Sequence, residues 1–234
     1  MSQFINQSHI ETVRDYVSNL RMTDEQVDRL LSNLERYGDL ILIGGAVRDL
    51  AFNKRQPRDF DIIINTDCLN LDDAFSGFTF SNNRFGGYKL FLNEIEFDVW
   101  SIGNNWAFKE KILKLSFQNL TQGTFYNIDS IVLNLTNGDW EAKNFIDAIE
   151  NRILDIVLDE YQTKLNPTPE INIVRALVLQ RQYNLDFSPR VVQYIRQWLS
   201  TTQKPLNDIK KASTKHYRRK NYISNDEIEI LLAL

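Results

Sequence analysis

The sequence predicts an α+β fold in which a group of strands is followed by a helical C-terminal region. Residues 8–37 repeat apolar side chains at helical spacing. Short apolar or alternating runs then have the length and pattern of β-strands, at 40–43, 59–65, 78–80, 88–92, 95–100 and within 124–135. Helical periodicity returns from about residue 144. Strands grouped together, rather than alternating with helices, are typical of α+β proteins.

We expect three regions along the chain. A helical extension occupies residues 1–37, a region that holds the sheet occupies 38–142, and a helical region occupies 143–234. Three residues precede Glu or Gln by three positions where a helical pattern starts, and we expect them to be helix N-caps: Ser8, Thr23 and Ser224.

The composition narrows the function classes. The chain has 234 residues, 43% apolar and 25% charged, as in ordinary globular proteins. With Cys68 as its single cysteine and only His9 and His216 as histidines, we expect no disulfide, zinc framework or Ser-His-Asp triad. No apolar run reaches the roughly 18 residues of a membrane-spanning helix, and the N-terminus lacks the pattern of a secretory signal. We therefore expect a cytoplasmic protein without a membrane partner.

Residues 40–64 carry the strongest chemical signal. An apolar strand runs into Gly44 and Gly45, a short helix and a basic loop follow, and a second strand carries Asp59 and Asp61. Side chains two positions apart on a strand point to the same face, so these carboxylates lie side by side. Adjacent carboxylates repel each other unless a cation lies between them, and oxygen ligands favour Mg²⁺ or Mn²⁺. Glycines at the start of a helix let backbone N–H groups approach a phosphate.

This pattern resembles the signature of the nucleotidyltransferase head domain of CCA-adding enzymes and bacterial poly(A) polymerases, in the DNA polymerase beta superfamily. The matching residues are Gly44, Gly45, Val47, Arg48, Asp49, Pro57, Asp59 and Asp61. The resemblance implies a polymerase-beta-like head with a small mixed sheet, followed by a helical neck-like domain. A structural unit with solvated aspartates is the alternative. The basic loop residues Lys54, Arg55 and Arg58 are expected either to contact a triphosphate or acceptor or to be solvated.

The superfamily places a third carboxylate on a strand beside the Asp-x-Asp strand. In the predicted strand at 95–100, apolar residues alternate with Glu96 and Asp98. Spacing favours Asp98, with Glu96 as the second candidate, on a strand that we expect to be antiparallel to its neighbour. The resemblance thus implies Asp59, Asp61 and Asp98 as catalytic residues and as ligands of Mg²⁺ or Mn²⁺.

Two later motifs of the family are only partly kept. Residues 124–135 resemble the next motif but lack its two arginines and its aspartate, and Asp129 aligns with its asparagine. In the neck motif, whose acid and arginine side chains read cytosine and adenine, only Arg175 matches, so we do not expect CCA addition. The nucleotide-binding residues implied by the resemblance are Gly44, Gly45, Arg48, Arg58, Asp129 and Arg175. For Arg48, an ion pair near Asp49 or with Asp59 is the alternative.

Residues 204–220 form a basic segment on an acidic protein. The segment holds seven basic residues and one acidic residue, a net charge of +6, so the rest of the chain carries −10. Such a cluster favours a local anionic partner, with a solvated helix face as the alternative. We expect RNA contacts from Lys210, Lys211, Lys215, Arg218, Arg219 and Lys220.

Three hypotheses for function follow. The first is transfer of a nucleoside monophosphate from a nucleoside triphosphate to an RNA 3′ end, with release of pyrophosphate. The second is transfer to a hydroxyl of a protein or small molecule. The third is a nucleotide-binding or RNA-binding module without catalysis, against which the retention of all three acids argues.

Overall fold

A computed structural model describes residues 6–53, 56–83, 86–219 and 222–232. Within these ranges the chain forms two units, the first made of Met1–Thr124 and Asp129–Ile146 and the second of Phe125–Ile128 and Asp147–Leu234. The α+β prediction is confirmed, since a mixed sheet lies in the first unit and the long helices of the second follow it. Both helices of the expected N-terminal extension belong to the same unit as the sheet.

The elements of the first unit start with two helices and continue through the sheet. The helices are α1 Gln7–Thr23, α2 Glu25–Glu35, α3 Gly45–Arg48, α4 Trp106–Lys109, α5 Phe117–Gln122 and the start of α6 Lys143–Asn151. The strands are β1 Asp39–Ile43, β2 Asp59–Asn65, β3 Phe80–Asn82, β4 Tyr88–Leu92, β5 Ile95–Ser101, β6 Val132–Asn134 and β7 Trp140–Glu141. A π-helical turn over Asp49–Asn53 continues α3.

The strands form one sheet in the order β3-β4-β5-β2-β1-β6-β7. Strands β2 and β5 are neighbours as predicted, but they pair in parallel, so the prediction of an antiparallel pair is wrong. After β2, residues 66–79 return the chain to the end of the sheet at which β2 begins, and β3 follows. Since β3 and β5 are both antiparallel to β4, both run in the direction of β2.

The two faces of β2 have different surroundings. Phe60 points to one face, where its ring packs on Phe97 of β5 and on Tyr16 of α1. Asp59, Asp61 and Ile63 alternate with it and share the other face. Ile63 belongs to a buried apolar cluster that also contains Ile41, Ile102, Phe108, Leu120 and Val132. The aspartates therefore lie at one end of a face whose other end is core.

The helix caps lie close to the predicted positions. Asn6 rather than Ser8 caps α1, accepting from the backbone N–H of Ser8 at 3.1 Å. Asp24 rather than Thr23 caps α2. Asn and Asp accept these hydrogen bonds as well as Ser and Thr do, so a neighbouring Asx residue displaces the predicted cap. Ser224 does cap the last helix, accepting from the N–H of Glu227 at 3.1 Å.

The second unit is mainly helical, as predicted from residue 144 onward. Its helices are α7 Glu160–Leu165, α8 Pro169–Tyr183, α9 Pro189–Thr201, α10 Pro205–Tyr217 and α11 Asn225–Leu232. A short parallel pair, β8 Ile153–Leu154 and β9 Asp186–Phe187, was not predicted. Tyr126 is fully buried in this unit and donates its hydroxyl to the carbonyl oxygen of Asn172 at 2.9 Å. None of the described helices has the length and apolar character needed to cross a bilayer.

Candidate active site

Four carboxylates lie on one face of the sheet, on strands β2 and β5. Asp61 is the Cα partner of Asp98, and Asp59 is the Cα partner of Glu96. Partner residues on neighbouring strands point to the same face, as do residues two apart on one strand. The structure therefore sets the three predicted ligands on one face of the sheet, and Glu96, the second candidate, lies on the same face.

The carboxylates on β5 are largely removed from solvent. Asp98 and Glu96 are each 9% exposed. Within the part of the chain that the structure describes, Asp98 Oδ1 is buried and has no hydrogen-bond partner. Burial raises the pKa of the Asp98 carboxyl because the charged form loses its hydration. Lys89 opposes this rise in pKa, and the charges of Glu96 and Asp59 add to it.

Lys89 on β4 is a site residue that the sequence analysis missed. Its Cα partner is Asp98, and its Nζ lies 2.9 Å from Asp98 Oδ2 while also donating to Glu96 Oε1. Burial lowers the pKa of Lys89, but its hydrogen bonds to Glu96 and Asp98 outweigh that effect and the pKa is raised.

A signal for Lys89 was present in the sequence. Leu92 pairs with Ile95 across a two-residue turn in which Asn93 and Glu94 both have positive φ, 44° and 71°. Two-residue turns with positive φ at both positions are the common connection of β-hairpins. Counting outward from that turn sets Lys89 opposite Asp98.

Arg58 is the basic partner of Asp59. Its Nη2 and Nε lie 2.5 Å and 3.0 Å from Asp59 Oδ2, and its side chain is 50% exposed. The other predicted cations of this loop, Lys54 and Arg55, lie outside the described residues. We call the face that carries Asp59, Asp61, Glu96 and Asp98 the acidic face. Basic side chains contact it from two directions, Arg58 on the loop and Lys89 on β4.

The donor set fits a magnesium ion in type and strand position. Carboxylate oxygens are the ligands that Mg²⁺ prefers, and the buried Asp98 Oδ1 has an unused acceptor capacity. Yet among the described residues no three acidic, histidine or cysteine side chains are arranged so that they could hold a metal ion. Arg58 and Lys89 form ion pairs with the Asp59 and Asp98 carboxylates. The metal therefore stays a prediction.

The glycine turn before α3 is closed by hydrogen bonds and an ion pair. Gly44 has φ +71° and ψ −127°, a conformation that residues with a Cβ rarely adopt, and its N–H donates to Ile131 at 2.8 Å. Arg48 is buried, with Nε 2.8 Å from Asp49 Oδ1 and Nη1 donating to Asp129 Oδ1. A Cβ on Gly45 would lie 3.4 Å from Arg48 Nη2.

This arrangement bears on four predicted nucleotide contacts. Arg48 forms ion pairs with Asp129 and with Asp49, so it has a structural role of the kind that was the alternative to a phosphate contact. The pair with Asp129 ties the turn at Gly44 to the segment that precedes β6. Contact of these residues, Gly44, Gly45, Arg48 and Asp129, with a nucleotide stays a prediction.

The remaining predicted site residues belong to the second unit. Arg175 is half-buried on α8. Lys210 is half-buried on α10, whereas four other residues of the basic segment are exposed: Lys211, Lys215, Arg218 and Arg219. Lys220 lies outside the described residues. The ring of Tyr217, within the segment, stacks on the ring of Tyr222 just after it, with centroids 4.3 Å apart.

Comparison with solved structures identifies the fold. The chain matches the Thermotoga maritima CCA-adding enzyme complexed with tRNA at a TM-score of 0.61 and 14% identity, covering 89% of this chain and 50% of that one. It matches a CCA-adding enzyme complexed with CTP at a TM-score of 0.62 and 15% identity, covering 93% and 54%. The chain has the fold of the CCA-adding enzymes. The family resemblance seen in the motifs is confirmed at the level of the fold.

A third match extends the comparison. A tRNA nucleotidyltransferase complexed with a primer tRNA and an incoming ATP analogue matches at a TM-score of 0.57 and 15% identity, covering 82% of this chain and 55% of that one. The chain spans about half the length of these CCA-adding enzymes and tRNA nucleotidyltransferases. No protein-family model matches the sequence. No curated protein matches it at a significant level.

Proposed function

We propose that this protein is a metal-dependent nucleotidyltransferase that moves a nucleoside monophosphate from a nucleoside triphosphate to the 3′ end of an RNA. The observation that carries the proposal is the register of β2 and β5, which sets Asp61 beside Asp98 with Asp59 two residues away. That acidic face belongs to a fold shared with CCA-adding enzymes solved with CTP and tRNA.

The acidic face has the chemistry for phosphoryl transfer. Asp59, Asp61 and Asp98 would hold Mg²⁺, which when bound lowers the pKa of an attacking hydroxyl and neutralises phosphate charge. The hydroxyl oxygen bonds to the α-phosphorus, its proton passes to water, and the bond from that phosphorus to the oxygen bridging the α- and β-phosphates breaks to release pyrophosphate. Arg58 is our candidate for a triphosphate contact, because its guanidinium is half exposed beside Asp59.

The basic segment supports an RNA acceptor. Lys211, Lys215, Arg218 and Arg219 are exposed, and cations that neutralise phosphates supply most of the sequence-independent affinity for nucleic acid. The stacked pair Tyr217 and Tyr222 adds aromatic surface of the kind on which unpaired bases stack. Both features lie in one unit of the chain.

One labelling experiment separates the candidate acceptors. The protein is incubated with each α-labelled nucleoside triphosphate, Mg²⁺, total RNA and cell extract. Label on RNA that is lost with Asp61→Ala supports the proposal. Label on protein or on a metabolite would overturn the choice of acceptor but keep the transfer reaction, and absence of label from every fraction would overturn both.

A further inference from the structure

We propose that Lys89 is a built-in counter-ion of the acidic face that competes with a divalent cation for Asp98, and that Glu96 weakens this competition by sharing the ammonium group. This inference rests on the proposed function, since it takes Asp98 as a metal ligand. It assigns positioning roles to Lys89 and Glu96, which lie beside the proposed ligands Asp59, Asp61 and Asp98.

The contacts of Lys89 define that role. Its Nζ lies 2.9 Å from Asp98 Oδ2 and donates to Glu96 Oε1, so one ammonium group touches two of the four carboxylates. Strand pairing fixes the approach, because Lys89 is the Cα partner of Asp98 on β4. The carboxylates are more buried than the lysine, with side chains 13% exposed for Asp98, 11% for Glu96 and 34% for Lys89.

Burial makes this charge balance matter for cation binding. Charges interact more strongly where water is excluded, and salt screens them less. An ammonium group at Asp98 Oδ2 both occupies a ligand oxygen and repels an incoming cation. Asp98 Oδ1 remains without a hydrogen-bond partner among the described residues, so the lysine satisfies only one side of the carboxylate.

Glu96 has the opposite effect on the same balance. It is the Cα partner of Asp59, and its carboxylate holds the Lys89 ammonium between itself and Asp98. Without Glu96, Lys89 would pair with Asp98 alone and the face would lose one negative charge. Removal of Lys89 and removal of Glu96 should therefore change cation affinity in opposite directions, and removal of both should restore the charge of the wild type.

The test measures the affinity of the full chain for Mn²⁺, from the electron paramagnetic resonance signal of free Mn²⁺. We expect Lys89→Met to bind Mn²⁺ about tenfold more tightly and Glu96→Gln about tenfold more weakly, within the range found for groups that hold metal ligands. The double variant should return to within about threefold of wild type. Lys89→Gln serves if Lys89→Met does not fold.

The matched control is Lys164→Met. Lys164 also forms an ion pair with a glutamate, with Nζ 2.9 Å from Glu160 Oε1, but it lies in the second unit and on the surface. This variant should leave the affinity for Mn²⁺ unchanged. Unchanged or weaker binding by Lys89→Met and Lys89→Gln would overturn the counter-ion proposal.

The two proposals fail in different ways. If wild type binds Mn²⁺ and Asp61→Asn does not, the metal site stands whatever the Lys89 variants do. If wild type does not bind Mn²⁺, the proposed metal-dependent function is overturned and the counter-ion proposal with it. Tighter binding by Lys89→Met together with weaker binding by Glu96→Gln supports the inference.

Discussion

The ring of Tyr16 in α1 stacks on the ring of Phe60 in β2, with centroids 6.4 Å apart and planes inclined at 23°. Phe60 lies between Asp59 and Asp61 in the chain and points to the opposite face of the sheet. Packing of an N-terminal helix on one face of β2 thus holds the backbone that presents the two aspartates on the other.

The first prediction concerns that packing. Phe60 is 2% exposed, so Phe60→Ala should lower the free energy of unfolding by about 3–5 kcal/mol through lost burial and a residual cavity. Urea denaturation followed by circular dichroism measures the change. Tyr161→Ala, at a position 71% exposed, should change stability by less than about 0.5 kcal/mol. A loss below about 1 kcal/mol for Phe60→Ala would contradict the role of this contact.

The second prediction tests the paired aspartates. Asp59→Ala and Asp61→Ala should each lower nucleotidyl transfer by more than about a hundredfold, because loss of a direct ligand exceeds loss of a supporting contact. Asp73→Ala, at an exposed position of a 3₁₀ turn, should keep wild-type activity. Transfer is measured with labelled nucleotide, and folding by circular dichroism. Near-wild-type activity in either site variant would remove that residue from the metal site.

The third prediction separates function from stability at Asp98. Burial raises the pKa of Asp98 in the folded protein, so folding favours its neutral form and the charge costs stability once the unfolded carboxyl has ionised. Asp98→Asn removes this cost. In EDTA, the unfolding free energy of Asp98→Asn minus that of wild type should therefore grow as the pH rises through and above the ordinary aspartate range. The same variant, Asp98→Asn, should lose transfer activity.

A difference in unfolding free energy that is flat with pH, or that falls as the pH rises, would show that the Asp98 charge is not destabilising. The comparison has an internal reference below the ordinary aspartate pKa, where the carboxyl is protonated in both the folded and the unfolded state. There the two proteins should differ least.

The fourth prediction concerns a close approach between Gly87, the residue before β4, and Trp100 of β5. A Cβ on Gly87 would lie 2.0 Å from Trp100 Nε1, so Gly87→Ala should displace the indole ring and cost about 1–3 kcal/mol of stability. Tryptophan fluorescence and urea denaturation measure both effects. Gly103→Ala is the control, because its Cβ would meet only the end of the Leu69 side chain, at 3.1 Å. Equal effects from the two substitutions would contradict the specific clash.

The fifth prediction concerns the basic segment. Lys211→Ala and Lys215→Ala should each weaken RNA binding irrespective of sequence and should reduce the slope of log affinity against log salt by about one. Fluorescence anisotropy with a labelled RNA across a salt series measures this. Lys164→Ala changes the same charge on the surface of another helix of the unit and should leave the slope unchanged. Wild-type slopes in both segment variants would exclude this surface as the RNA contact.

The local alternation of side chains was sufficient to predict which residues of β2 and β5 share a face. Alternation predicted that Asp59 and Asp61 share one face of β2 and that Asp98 lies on the polar face of β5. The structure sets Asp61 and Asp98 side by side. The direction of β5 was mispredicted because it depends on the course of residues 66–79 and not on the strand itself. Alternation is a property of neighbours in the chain, whereas strand direction is a property of the connection.

Partners distant in sequence could not be predicted. Arg48 and Asp129 were expected to contact a nucleotide separately, but they are 81 positions apart in the chain and form an ion pair. The sequence around each of these two residues does not predict that the other is its partner. Lys89 is different, because the length of the hairpin turn does encode its position opposite Asp98.

The length of the turn at Asn93 and Glu94 determines which residue of β4 lies opposite Asp98. Because side chains alternate along a strand, one residue inserted between Leu92 and Ile95 would shift the pairing by one position and turn Lys89 away from Asp98. Such an insertion would alter no acidic residue and no part of β2. The length of a surface loop thus selects whether the neighbouring strand presents a positive or an apolar side chain to the acids.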